Sequence, residues 1–210
     1  PSEIGRYFKM QPIQLDMKNK ISSVALGKVI RDTVNNFEYS ADREITEKHV
    51  VMGSLNKWIK TRKISRDVLI RLTLPAAQKL WKLRTDVTNP VLATHETYLK
   101  MYQLTNPDLS QYGTIYLDEA QDSNACILNI VLRQNSQVIL VGDHYQSIYQ
   151  WRGSTNALAQ IPADEMNLSS SFRFGDAVAS VANLILNASE KVDIKGWDKV
   201  NSQLVENEMD

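Results

Sequence analysis

Two short apolar runs, Thr114–Leu117 and 137–141, constrain this chain more than any other feature. Each is the length of a buried strand, and each ends in an acidic or glycine-containing loop. Between them Ile127, Ile130 and Val131 recur at helical spacing, which predicts a helix over about 124–133. Strand, helix and strand in that order, with both strands apolar, is the pattern of a parallel sheet wrapped by helices. The expected fold class is therefore α/β.

The flanking sequence fits that frame. Residues 91–93 are a candidate strand, and the segment 95–103, with Tyr98, Leu99 and Tyr102 on one face, reads as the helix after it. A last helix is expected over 176–187, from Val178, Val181, Ala182 and Ile185. The first 88 residues read as a mainly helical unit. One helix is expected around 46–60, carrying Val51, Leu55, Trp58 and Ile59, and another near 76–84. With 210 residues and 43% apolar composition, the chain can bury one large core or one and a half smaller ones.

Charge narrows the function only locally, because the formal net charge is zero. Over 55–84 there are nine basic residues against Asp67, with Trp58 and Trp81 among them. Such a stretch can track a phosphate backbone, or it can be two solvated helix faces whose tryptophans pack inward. The single cysteine, Cys126, rules out an internal disulfide and fits a reducing compartment, cytoplasmic or nuclear. No apolar run approaches the ~20 residues of a membrane-spanning helix, so a soluble protein is expected. The chain begins with Pro1 rather than methionine, which suggests that it was cut from something longer.

Three polar segments carry the chemistry. In Ile115-Tyr116-Leu117-Asp118-Glu119-Ala120-Gln121-Asp122, two adjacent acids follow a buried strand, where open α/β sheets bind ligands. In nucleotide-hydrolysing proteins one such acid holds Mg²⁺ and the other orients and deprotonates the attacking water; otherwise the pair is an ordinary polar loop. The second strand runs into Gly142-Asp143-His144-Tyr145-Gln146, where Gly142 would permit a sharp turn and Gln146 could meet a γ-phosphate or its water. Tyr149, Trp151 and Arg152 follow, a cluster suited to stacking unpaired bases and pairing a phosphate. The third segment, Ser171-Phe172-Arg173-Phe174-Gly175, sets an aromatic beside an arginine just before the last helix. An arginine supplied from a second domain can neutralise a transferring phosphoryl group, and Phe172 can stack on a purine.

Together these segments closely resemble motifs II, III and IV of UvrD/Rep-type superfamily 1 DNA helicases, in the right order. The matching residues are Asp118-Glu119-Ala120-Gln121-Asp122, then Gly142-Asp143-x-x-Gln146-Ser147-Ile148-Tyr149-x-Trp151-Arg152-Gly153, then Ser171-Phe172-Arg173 followed by Ala182-Asn183. The Thr94-His95-x-x-Tyr98-Leu99 stretch and the Ser-Phe-Arg-Phe-Gly form of the third motif look closest to the F-box DNA helicase branch. The resemblance is strong over about 91–187, weaker upstream and absent from the last ~20 residues.

The resemblance implies a RecA-like P-loop NTPase sheet, present in part, with a mainly helical insertion. Residues 1–88 would be that insertion with edges of the first ATPase domain, 89–165 the latter part of that domain, and 166–210 the start of a second. ATP and Mg²⁺ would be the cofactors, and single-stranded DNA and duplex junctions the partners. By carry-over, Asp118 would hold Mg²⁺, Glu119 would be the general base, Gln146 the γ-phosphate sensor and Arg173 the arginine finger, with Phe172 stacked near adenine. Tyr149, Trp151 and Arg152 would contact single-stranded DNA, with Thr94 and His95 near its path.

One family feature is missing. No Gly-x-x-x-x-Gly-Lys-Ser/Thr stretch occurs, and the nearest candidate, Ala25-Leu26-Gly27-Lys28-Val29, lacks the first glycine and the hydroxyl residue. The expected function is thus a 3′ to 5′ ATP-dependent helicase, present as a fragment inactive alone. The alternative is a non-catalytic single-strand-binding or regulatory module derived from a helicase.

Overall fold

The computed structural model describes residues 2–88, 93–147, 158, 161–187 and 193–204. The chain forms two compact units, Pro1–Ile161 and Pro162–Asp210.

The first unit is organised around a long helix that periodicity alone did not single out. A short helix α1 (Ser2–Tyr7) and a two-stranded antiparallel ribbon, β1 (Ile13–Gln14) and β2 (Lys20–Ile21), lead into α2 (Ser23–Tyr39). The Ser22 hydroxyl caps α2 by accepting the Ala25 N–H at 3.2 Å. Leu26, Val29, Ile30, Thr33, Val34, Phe37 and Glu38 recur every three or four residues along α2, and all are buried. Gly27 and Lys28 lie inside this helix, so the nearest glycine–lysine pair belongs to a packed helix and not to a phosphate-cradling loop.

The segment 46–60 is not one helix. It forms two 3-10 turns, Glu47–His49 and Gly53–Leu55, before the short helix α3 (Asn56–Lys60). Gly53 adopts φ +48, which a continuing right-handed helix does not allow, and Val50, Met52 and Leu55 go into the core while Val51 stays exposed. The next helix, α4, spans Arg66–Thr85, ten residues earlier in its start than the periodicity over 76–84 suggests. It continues through Pro75 because Leu69, Thr73, Ala77 and Leu80 keep one buried face on either side of the lost hydrogen bond.

Both tryptophans of the basic stretch pack inward, while Lys60, Arg62, Arg66 and Arg71 are exposed. Trp58 packs on the core formed by Ile21, Leu26, Val29 and Leu69, with the Lys57 and Lys63 ammoniums 4.6 and 5.3 Å from its ring centre. Trp81 meets Phe37 edge-on at 5.2 Å. Lys63 donates to Asp16 Oδ2 at 2.6 Å, pinning the β1–β2 turn, and this ion pair holds the Asp16 carboxyl well below the usual carboxylate range.

After the helical part come α5 (His95–Leu104), β3 (Thr114–Leu117), α6 (Ala125–Leu132) and β4 (Gln137–Leu140). These match expectation to within about a residue at each end. The strands are parallel, with Thr114 opposite Gln137 and Leu117 opposite Leu140. Asn124 caps the crossover helix by accepting the Ile127 N–H at 3.1 Å. Most of the expected strand at 91–93 lies outside the described residues, and Ala93 is not in a strand.

Helices α2, α4 and α5 are joined by a buried polar network. Arg84 Nη1 lies 3.0 and 2.9 Å from the two oxygens of Glu38, and the Thr97 hydroxyl donates to Glu38 Oε1 at 2.6 Å. Burial pushes the Glu38 carboxyl above its ordinary range, opposed by the Arg84 charge. Lys100, also buried, donates to the Ser40 carbonyl at 2.9 Å and to the Asp42 carbonyl; burial pushes its pKa down to about 8.

In the second unit the helix α7 (Asp176–Leu186) follows the 169–175 loop. The Ser171 N–H donates to the Lys195 carbonyl at 2.9 Å, and the Lys195 N–H to the Ser169 carbonyl at 2.7 Å. Among the described residues no helix is long and apolar enough to cross a membrane.

Removing one partner of a buried pair leaves the other charge uncompensated, at a cost of about 3–5 kcal/mol. Arg84→Ala should therefore lower stability by about that much in urea unfolding, whereas Lys82→Ala, on the exposed face of the same helix, should change it by less than about 0.5 kcal/mol.

Candidate nucleotide and nucleic-acid site

Because β3 and β4 run parallel in register, their following loops leave the same end of the pair. The first loop holds Asp118 and Glu119, both exposed. Glu119 takes the left-handed conformation, φ 51 and ψ 40, which costs a non-glycine residue on the order of 1 kcal/mol. Three backbone contacts hold it there. The Glu119 N–H donates to Asp118 Oδ1 at 2.9 Å, the Ala120 N–H to the Val141 carbonyl at 2.9 Å, and the Asp122 N–H to the Glu119 carbonyl at 2.9 Å. The reversal starts a 3-10 turn, Ala120–Asp122, that folds Gln121 back beneath the acids.

Gln121 is 1% exposed. Its Nε2 donates to Glu119 Oε2 at 2.6 Å, and its Oε1 accepts the Asp143 N–H at 3.1 Å. Its backbone carbonyl also accepts the Ser147 hydroxyl at 3.4 Å. Sequence reading included Gln121 in its motif but gave it no task; only burial shows that one.

The second loop is capped by Asp143, whose carboxylate accepts the Tyr145 N–H at 2.9 Å and the Gln146 Nε2 at 2.8 Å. Gly142 does not use the positive φ that glycine adopts freely. A Cβ on it would stand 2.1 Å from Gln121 Oε1 and 3.1 Å from Ala120 N. The glycine makes room for the amide that crosses between the loops.

No group of three or more His, Cys, Asp or Glu able to hold a metal gathers among the described residues. Two exposed, adjacent carboxylates would suit a Mg²⁺ ion that takes its other oxygens from substrate phosphates and water.

A family model, the UvrD/REP helicase N-terminal domain, matches residues 11–164. The chain belongs to the UvrD/REP helicase family. It is 38% identical over 175 residues to F-box DNA helicase 1 of Gallus gallus, covering 79% of this chain and 17% of that protein. To F-box DNA helicase protein 1 of Schizosaccharomyces pombe it is 33% identical over 185 residues, 83% of this chain and 20% of that one. DNA helicase II of Escherichia coli matches at 29% over 122 residues, 53% of this chain and 17% of its own length. The chain therefore stands nearer the F-box DNA helicases than the bacterial helicase II, and it spans a fifth or less of these relatives. Family membership implies a RecA-like α/β fold, with which the β3–α6–β4 crossover is consistent.

The remaining motif residues of this UvrD/REP-family chain fall in three places. Thr94 caps α5, its hydroxyl accepting the Thr97 N–H at 3.2 Å, and exposed His95 stands edge-on to Tyr98 at 6.4 Å. Tyr149, Trp151 and Arg152 lie outside the described residues. In the second unit Phe172 is exposed and edge-on to Trp197 at 5.5 Å, and Arg173 is exposed with no ion-pair partner among the described residues. The Asn183 amide clasps Ile194 from both sides at 2.8 Å, donating to its carbonyl and accepting its N–H, which fastens α7 to the segment paired with the Phe172–Arg173 loop. An asparagine inside an apolar helical stripe was the available signal for that clasp.

Gly142→Ala forces the Gln121 amide out of its place, and overpacking of this kind costs about 1–3 kcal/mol. Denaturant unfolding of the variant should show a loss of that size.

Proposed function

We propose that the chain is part of an ATP-dependent DNA helicase that translocates 3′ to 5′ along single-stranded DNA. The observation that carries this reading is the parallel β3–β4 pair, which brings Asp118 and Glu119 to the same sheet end as Asp143 and Gln146, with Gln121 hydrogen-bonded to both loops. The family match supports it.

On this reading Asp118 holds Mg²⁺, which when bound neutralises phosphate charge. Glu119 takes the proton of the attacking water, and Gln146 meets the γ-phosphate. Arg173 neutralises the transferring phosphoryl group and Phe172 stacks near the adenine. Tyr149, Trp151 and Arg152 hold unpaired bases and phosphates, with Thr94 and His95 bordering the DNA path. Gln146 and Trp151 share one short segment, so a change at the nucleotide moves the base-stacking residues. Residues 1–88 serve as a helical insertion with edges of the first ATPase domain, 89–165 as the latter part of that domain, and 166–210 as the opening of a second.

These 210 residues contain no phosphate-cradling lysine loop, and the one near match lies inside α2. Such a loop must come from elsewhere in a longer chain for turnover. The same observation favours the second reading, a single-strand-binding module without hydrolysis.

Residues 1–210 alone should show no DNA-stimulated ATP hydrolysis. In a longer chain bearing the loop, Glu119→Gln should cut turnover by at least about 100-fold with ATP affinity nearly unchanged. Turnover at the wild-type rate would remove Glu119 from its role. Fluorescence titration with oligonucleotides should show binding that weakens in Trp151→Ala; binding with no hydrolysis in any longer chain would favour the module.

A further inference from the structure

The Gln121 side chain occupies a position that few residue types could fill. It is buried between an acceptor, Glu119 Oε2 at 2.6 Å, and a donor, the Asp143 N–H at 3.1 Å. Those neighbours fix the amide orientation, nitrogen toward the carboxylate and oxygen toward the backbone. A glutamate there would face Glu119 with like charge, a lysine would have no acceptor for Asp143, and an apolar side chain would leave the Asp143 N–H without this partner. The space is reserved from the other side as well, since a Cβ on Gly142 would overlap the amide oxygen.

We infer that Gln121 is the positioning residue that fixes the Glu119 carboxylate and transmits to it any movement of the 143–147 segment. The inference rests on the proposed helicase reading. Glu119 stands in a left-handed turn on an exposed loop, where its side chain would otherwise sample several rotamers. Donation to Oε2 holds one carboxylate oxygen, and Oε1 faces no donor among the described residues. Because the side-chain amide holds the Asp143 N–H, a shift at Asp143 reaches Glu119 through one rigid planar group, while the Ser147 hydroxyl holds the Gln121 backbone at its carbonyl. The path from Asp143 to the Glu119 carboxylate is then two hydrogen bonds long.

The test uses the intact helicase to which, on that reading, residues 1–210 belong. Gln121→Met keeps the volume and removes both hydrogen bonds. It should lower DNA-stimulated kcat about 10- to 100-fold, the scale of a misplaced catalytic group, with KM for ATP and oligonucleotide affinity within about twofold. Gln121→Glu, of the same size but opposed to Glu119, should lower kcat further. A wild-type kcat in Gln121→Met, or a Gln121→Glu variant faster than Gln121→Met, overturns the inference. So does a loss in which kcat and the thermal midpoint fall while KM rises, because that marks a purely structural residue. In residues 1–210, Gly142→Ala should lower the thermal midpoint less in a Gln121→Ala background than alone; equal losses overturn the geometry. Glu119→Gln separates the two failures. If it abolishes turnover while Gln121→Met does not, only this inference falls; if neither reduces turnover, the assignment of the base falls first.

Discussion

The Glu38 carboxylate is 1% exposed and is satisfied from two other helices, by the Arg84 guanidinium of α4 and the Thr97 hydroxyl of α5. A buried carboxylate tolerates few geometries, because each unmet lone pair costs more than an exposed one gains. Three helices must therefore meet at one register. Thr97 is also the residue whose N–H is capped by Thr94, so the start of α5 is set by the same contact. Further along α5, Gln103 donates to Asn129 of α6 at 2.8 Å. The crossover helix between β3 and β4 thus takes its position from a chain of polar contacts that begins inside the helical part.

That dependence gives the helical region a part in the site without contributing a reactive group to it. The apolar contacts of α2 with α4 supply most of the stabilisation, as hydrophobic burial does generally. They are non-directional and would tolerate sliding. The Glu38–Arg84–Thr97 network removes that freedom among α2, α4 and α5, while the spacing of the β3 and β4 ends is set by their own parallel pairing. The strained backbone of Glu119 is then affordable, since the Ala120 N–H bond to Val141 across the two strands fixes it.

The legibility of this arrangement in the sequence varied with the physical origin of each element. β3, β4, α5, α6 and α7 were readable because each pairs an apolar pattern with a nearby cap or turn residue, as Asn124 does for α6. The helix α2 is less legible although its buried residues have helical spacing, because Gly27 interrupts the apolar face and Thr33 and Glu38 add polar groups satisfied only in the fold. Segment 46–60 differs for the opposite reason: Val51, Leu55 and Trp58 have helical spacing, yet Gly53 interrupts the helical conformation between them. In the candidate site, the motif letters place the acids and Gln146 just after the two strands, where the structure has them. The reason for Gly142 and the task of Gln121 could not be read, since both depend on a contact between loops more than 20 residues apart in sequence.

The resting contacts of Gln146 bear on how such a site can switch. Its amide donates to the Asp143 carboxylate, and its backbone N–H to the Asp143 carbonyl at 3.0 Å. On the proposed reading, meeting a phosphate means giving up a hydrogen bond to a charged acceptor, about 1.5–3 kcal/mol, for another of the same kind. The exchange is close to balanced, so neither position is strongly held by Gln146 itself. Small biases from elsewhere on the segment then decide the outcome. Asp143 and Ser147 are also the residues bound by Gln121, which ties this segment to the acid loop by hydrogen bonds. A loop that is indifferent in its own contacts and tethered at both ends can pass on a movement without resisting it.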